Sequence, residues 1–155
     1  MSNYQYIYDY INKIDIECQN CSKRSVVISN PENRKETKSL CVNCGKSKIW
    51  KGESNSYEFG VRSQKTDGIS IGQPVDCYFK SKLWYSTIFK GEPLFAYNLE
   101  HLNFLIEYIN DKLRERTKIN GNWSNGSLQS RLPNWMLKAE NREGIIKKLN
   151  ELLDK

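Results

Sequence analysis

Four of the five cysteines in this 155-residue chain stand in two matched pairs, Cys18-Gln19-Asn20-Cys21 and Cys41-Val42-Asn43-Cys44, with nineteen residues between the pairs. Two residues between cysteines let the backbone fold back as a knuckle that aims both thiolates at one ion, and two such knuckles complete a tetrahedron. The expectation is one Zn2+ held by Cys18, Cys21, Cys41 and Cys44. Four thiolates leave no open position for water or substrate, so the metal's role would be structural.

The remaining chemistry-bearing residues argue against catalysis. The one histidine, His101, excludes two-histidine metal sites and histidine-cluster nucleases. As a general base it would need a positioned partner, and its bland alternative is a helix-face residue beside a capping asparagine. Cys77 lies in the alternating run Val75-Asp76-Cys77-Tyr78-Phe79 with no histidine or basic residue close by, which suits a buried structural thiol better than a nucleophile. There is no glycine-rich phosphate loop, no Gly-x-Ser-x-Gly elbow and no convincing carboxylate pair. The chain does not read as an enzyme, and no small-molecule substrate is identified.

Charge points instead to a partner. The formal net charge is +6, and four thiolates with Zn2+ would bring it to about +4. Lys23, Arg24, Arg34, Lys35, Lys38, Lys46, Lys48 and Lys51 stand around the cysteine pairs against only Glu32 and Glu36. A basic cluster of this kind suits a polyanion, although lysines that merely offset an anionic metal centre would look the same. Lys23, Arg24, Arg34, Lys35, Lys38, Lys46 and Lys48 are therefore the candidate nucleic-acid contacts, with Trp50 either stacking on a base or buried in the core. Farther along, Lys112–Arg116 suits a helix C-terminus, while Arg131 and Arg142 would either lock a turn or hold a phosphate.

These residues need elements to carry them. With 12% aromatic and 27% charged residues and a mean hydropathy of −0.71, the chain reads as folded and water-soluble. No apolar run approaches the roughly 18 residues of a membrane span, and no signal peptide precedes the first knuckle, so a cytoplasmic location with reduced thiols is expected. Residues 3–13 suggest a short helix opening near Ser2, and Ile14–Glu17 a strand leading into the first knuckle. Ser25–Ser29, a turn at Asn30–Asn33 and a return over Glu36–Leu40 make the hairpin that the spacing demands, with Ile49-Trp50 as a third strand.

Further strands are expected at 57–61, Val75–Phe79, Leu83–Phe89 and Leu94–Tyr97, with turns at Thr66-Asp67-Gly68 and Lys90–Pro93. Asn98 caps a helix of about 18 residues whose apolar stripe is Leu99, Leu102, Leu105, Ile106, Ile109 and Leu113. A loop over 120–126, a turn or two of helix stopped by Pro133, and a final helix capped by Asn141 complete the chain. The expected fold class is α+β: a four-cysteine zinc ribbon with a short N-terminal helix over 1–55, then antiparallel β-hairpins packed by C-terminal helices over 56–155.

The segment Leu83-Trp84, Thr87, Gly91, Leu94-Phe95-Ala96-Tyr97-Asn98, His101-Leu102, Leu105, Tyr108-Ile109 and Lys112–Arg116, with Ser130–Met136 and Ala139–Arg142, resembles a family of small bacterial zinc-ribbon proteins labelled as transcription-factor-B type. Gln19 and Ser22 depart from the Cys-Pro-x-Cys-Gly knuckle of that family, although Gly45 keeps to it. The resemblance implies the ribbon and carries over no activity. Two functional readings follow: a ribbon that grips nucleic-acid backbone through its basic residues, or a protein-interaction adaptor in which zinc is purely structural. Membranes are not expected partners.

Overall fold

The computed structural model describes residues 10–50, 52, 73–111 and 132–155. The expected helix over 3–13 and the strand and turn at 57–68 lie outside these residues for the most part, as do Lys112–Arg116, the loop over 120–126 and Arg131.

Four short strands carry the cysteine pairs: β1 (Lys13–Glu17), β2 (Arg24–Ile28), β3 (Lys38–Leu40) and β4 (Ser47–Ile49), antiparallel in the order β1-β2-β3-β4. The β-branched runs supply β1 and β2, paired from Lys13↔Ile28 to Glu17↔Arg24. Between β2 and β3 the chain turns at Asn30, whose side chain accepts from the Glu32 N–H, and makes a 3-10 turn at Arg34–Glu36. β4 takes in Ile49 but stops before Trp50, whose N–H still pairs with the Thr37 carbonyl at 2.8 Å.

Registered partners share a face of a sheet. One face therefore presents Ile14, Ile16, Ser25, Val27 and Ser39, all buried, with the exposed Lys48 at its edge, and the other Lys13, Asp15, Glu17, Arg24, Val26, Ile28, Lys38, Leu40, Ser47 and Ile49. The buried face packs Ile14, Ile16 and Val27 against Trp50, Tyr78, Leu83 and Tyr97. The ribbon is thus not a separate bead. Its β1 edge is also stitched to the second half through Asp15: the Asp15 N–H donates to the Tyr97 carbonyl, and the Trp84 N–H donates to the Asp15 carbonyl.

The second half is a tight hairpin, β5 (Tyr85–Phe89) and β6 (Glu92–Ala96), covered by α1 (Leu99–Asn110), the short α2 (Asn134–Leu137) and α3 (Arg142–Leu153). Lys90 and Gly91 make the two-residue turn with φ of 48° and 82°, the left-handed pair that matches strand twist. Tyr85, Phe89, Leu94 and Ala96 meet Leu102, Leu105, Ile109, Ile145 and Leu149 in a second core.

Three expectations need correction. Val75–Phe79 is a turn rather than a strand, because the Asp76 carboxylate accepts the N–H groups of Tyr78, Phe79 and Ser81 and outcompetes a ladder. α1 ends at Asn110, well short of 18 residues, where Asp111 takes an extended conformation; a carboxylate there opposes the helix dipole. Asn141 precedes α3 but does not cap it. Its Nδ2 donates to the Trp135 carbonyl and its Oδ1 accepts from Lys90 Nζ, so it ties the hairpin turn to α2. Pro133 stands immediately before α2 with φ of −60°, and the turn or two of helix expected ahead of it lies, apart from Leu132, outside the described residues.

Candidate metal centre and its surroundings

Each cysteine pair continues from one strand and turns back into the next. In the first knuckle the Ser22 N–H donates to the Cys18 carbonyl at 2.9 Å, and the Cys18 N–H to the Lys23 carbonyl at 2.8 Å. In the second the Gly45 N–H donates to the Cys41 carbonyl at 2.8 Å, and the Cys41 N–H to the Lys46 carbonyl at 2.9 Å. The two knuckles are therefore the same structure built twice. The residue after the second cysteine must be left-handed in both, with φ of 62° at Ser22 and 75° at Gly45.

The knuckles bring all four sulfurs within 4.8 Å of one another, close enough to hold one metal ion. Cys18 and Cys44 Sγ are 3.6 Å apart, and so are Cys21 and Cys41 Sγ. The surroundings favour the thiolate at the second cysteine of each knuckle, whereas the Cys41 thiol, despite the Cys44 backbone N–H beside it, is pushed up to about 11 by burial and the neighbouring Cys21 and Cys44 sulfurs. The Lys46 backbone N–H, and after it the Asn20 side chain, bring the Cys44 thiol down to about 6. The Lys23 N–H and then the Asn43 side chain lower Cys21 in the same way. Each knuckle thus lends its third residue, an asparagine, to the second cysteine of the other. The sequence carried that signal in the repeated Asn-Cys of Gln19-Asn20-Cys21 and Val42-Asn43-Cys44, but only the paired geometry gives it meaning.

The seven candidate basic residues do not converge. Arg24 and Lys38 stand exposed on the open face of the sheet, Lys35 is exposed on the 3-10 turn, and Lys23 is exposed in the first knuckle. Lys46 and Lys48 reach the opposite side, where with Ser25, Ser39 and Ser81 they line a cleft of about 230 Å³ beside Cys18. Lys48 Nζ donates there to Gln19 Oε1 at 2.9 Å. Arg34 is half-buried and hydrogen-bonded to the Tyr78 hydroxyl, which in turn reaches Ser29. It ties the ribbon to the second half instead of reaching outward from the hairpin tip. Trp50 is buried, edge-on to Tyr78 with ring centroids 5.2 Å apart.

His101 and Cys77 are both sealed. The His101 ring stacks on Tyr10 and Tyr97, and its Nδ1 accepts the Tyr97 N–H at 3.0 Å. Burial brings its pKa down to about 4. Cys77 has no exposed surface, and burial, then the Asp76 charge beside it, push its thiol up to about 12.

Among the described residues no helix is long and apolar enough to cross a membrane. No protein-family model, curated protein or solved structure matches the chain.

Proposed function

We propose that this protein is a zinc-stabilised interaction module: zinc holds the two knuckles together, and the open face of the ribbon sheet docks on a partner protein. A tetrahedral zinc with bonds of about 2.3 Å places its sulfurs about 3.8 Å apart. The two 3.6 Å sulfur pairs lie close to that spacing, and the other separations, none above 4.8 Å, need only a small inward movement. With every position taken by a thiolate the ion is structural, and its binding energy becomes folding energy for the ribbon. The bacterial zinc-ribbon family and the cytoplasmic setting belong to this same proposal.

The observation that carries the docking reading is the exposed aliphatic surface on the sheet's outer face, formed by Ile28, Leu40 and Ile49 beside the half-buried Val26 and extended by Val42 in the second knuckle. Catalysis has little support: the thiolate shell is closed, His101 already accepts a backbone N–H, and Cys77 is sealed in the core. Nucleic acid is the second reading, favoured by the exposed Lys23, Arg24, Lys35, Lys38, Lys46 and Lys48. Its weakness is that Trp50 is buried and Arg34 engaged, which removes the base-stacking clamp.

Anisotropy of labelled single- and double-stranded oligonucleotides, titrated with zinc-loaded protein at two salt concentrations, separates the two. Phosphate contacts lose affinity steeply with salt. The docking reading expects no such binding, and it expects an apolar dye to light up on the native protein and to lose that signal in a Leu40→Glu, Ile49→Glu variant. Tight, salt-sensitive oligonucleotide binding that is unchanged in this variant would make nucleic acid the partner.

A further inference from the structure

The fold uses one face of the ribbon sheet and leaves the other open. Ile49 is 73% exposed and Val42 85%, with Ile28 and Leu40 near 40%. The exposed apolar side chains are not scattered: the register sets Lys13, Ile28, Lys38 and Ile49 in one row across the four strands, so cation and aliphatic alternate. Arg24 adds a third exposed cation to the same face. Two carboxylates share this face: Glu17 lies opposite Arg24 and 3.5 Å from Lys82, and Asp15, buried, feels the charges of Arg24 and Lys13. Lys38 stands apart from both in the row with Ile28 and Ile49. What the face offers to solvent is aliphatic surface and positive charge.

Resting on the docking reading above, we infer that this face receives a short segment of another protein in which aliphatic side chains and carboxylates alternate. Size selects a segment rather than a domain. Four strands about 4.8 Å apart, two of five residues and two of three, cover at most about 14 by 13 Å, on the order of 200 Å². A stable globular interface needs roughly 800 Å² from each partner. The same comparison disfavours a second copy of this chain, and so does charge, since a two-fold contact through this face would set Lys13, Arg24 and Lys38 against the same cations. Aliphatic side chains cannot stack on bases, and among the described residues no aromatic side chain shares the face, so single-stranded nucleic acid lacks its usual platform here. A carboxylate-bearing segment neutralises the cations while covering the aliphatic residues between them.

The test uses full-length, zinc-loaded, 15N-labelled protein and three probes: a short peptide alternating leucine with glutamate, the same peptide with glutamine for glutamate, and a short thymidine oligonucleotide. The glutamate peptide should shift the amide signals of Val26, Ile28, Lys38, Leu40 and Ile49, and the glutamine peptide should bind about tenfold more weakly or worse. Lys38→Glu and Ile49→Asp, both at exposed positions, should each weaken the glutamate peptide by about tenfold while keeping zinc content and spectral dispersion. Equal affinity for the two peptides would overturn the acidic partner and leave protein docking standing. Shifts on this face from the oligonucleotide and from neither peptide would overturn both. Peptide shifts confined to another surface would overturn the assignment of this face.

Discussion

His101 makes the fold acid-sensitive in a window that can be worked out. It occupies the first turn of α1, where its N–H donates to the capping Asn98 Oδ1 at 2.9 Å and its Nδ1 accepts the Tyr97 N–H. A proton on Nδ1 would face that N–H in a site 4% exposed to solvent, at the positive end of the helix dipole. The folded pKa is therefore lowered, to about 4 from an ordinary 6.5, by burial. Because the unfolded chain takes up the proton first, the contribution is fully present above about pH 6.5. It is lost as pH falls through the window and is gone below about 4. The loss amounts to about 2 kcal/mol by pH 5 and about 3 kcal/mol by pH 4. For a chain of this size, the pH 5 figure lowers the Tm by about 4 to 8 °C.

Thiolate protonation also destabilises a metal-loaded ribbon in acid, so the assay is a double difference. Urea unfolding of zinc-loaded wild type and His101→Asn is compared at pH 7.5 and pH 5. Asparagine keeps an acceptor near Nδ1 and cannot titrate. The variant is less stable at pH 7.5 through lost packing against Tyr10 and Tyr97, yet it should lose about 2 kcal/mol less than wild type on going to pH 5. Equal losses would refute the reasoning, since the acid sensitivity would then belong to the metal site or to carboxylates.

Three substitutions test the rest of the structure. Cys41→Ser should take the zinc content from roughly one ion per chain to well below it, read by elemental analysis; unchanged content would defeat the ligand assignment. Ser22→Gly should raise stability by about 0.5 to 1 kcal/mol by relieving a left-handed serine, while Gly45→Ser should cost a similar amount, both measured by urea unfolding. In α3, a Cβ at Gly144 would sit 2.7 Å from Phe89 Cε2, and the Phe89 ring is stacked on Trp135. Gly144→Ala should therefore destabilise by about 1 to 3 kcal/mol, seen in the Tm, and a neutral result would mean that the Phe89 ring moves aside freely.

The cysteine spacing announced the knuckles and the hairpin between them because metal geometry leaves few alternatives, and Lys90-Gly91 and Asn98 were legible for the same reason: each satisfies a narrow local requirement. What the sequence hid was decided by competition or by contacts distant along the chain. Val75–Phe79 alternates like a strand, yet one carboxylate satisfies three backbone N–H groups there. Arg34 looks free at a hairpin tip until Tyr78, forty-four positions on, is folded beside it. His101 looked like an ordinary helix-face residue, and its burial depends on Tyr10 and Tyr97 arriving from two other segments. The open face was equally hidden, since both faces of β2 carry aliphatic residues and only packing decides which one Leu83 and Tyr78 cover.

On the proposed docking reading, that choice of face would give the metal a role in docking without any contact with the partner. A one-residue slip in strand register exchanges the two faces of a sheet. In β2 such a slip would turn Val26 and Ile28 inward and Val27 outward, spoiling the core against Tyr78 and the aliphatic surface together. Strands of three residues, such as β3 and β4, hold register weakly by themselves. Both ends of the problem are tied by the knuckles: Cys18 follows β1, Cys21 precedes β2, Cys41 follows β3 and Cys44 precedes β4. Four bonds to one zinc ion would fix the offset within each pair of strands and between the pairs, so on the proposed reading removing the metal should abolish binding at the open face even though the ion lies outside it. Docking that survives zinc chelation with unchanged affinity would show that the core contacts of Ile14, Ile16 and Val27 hold the register unaided.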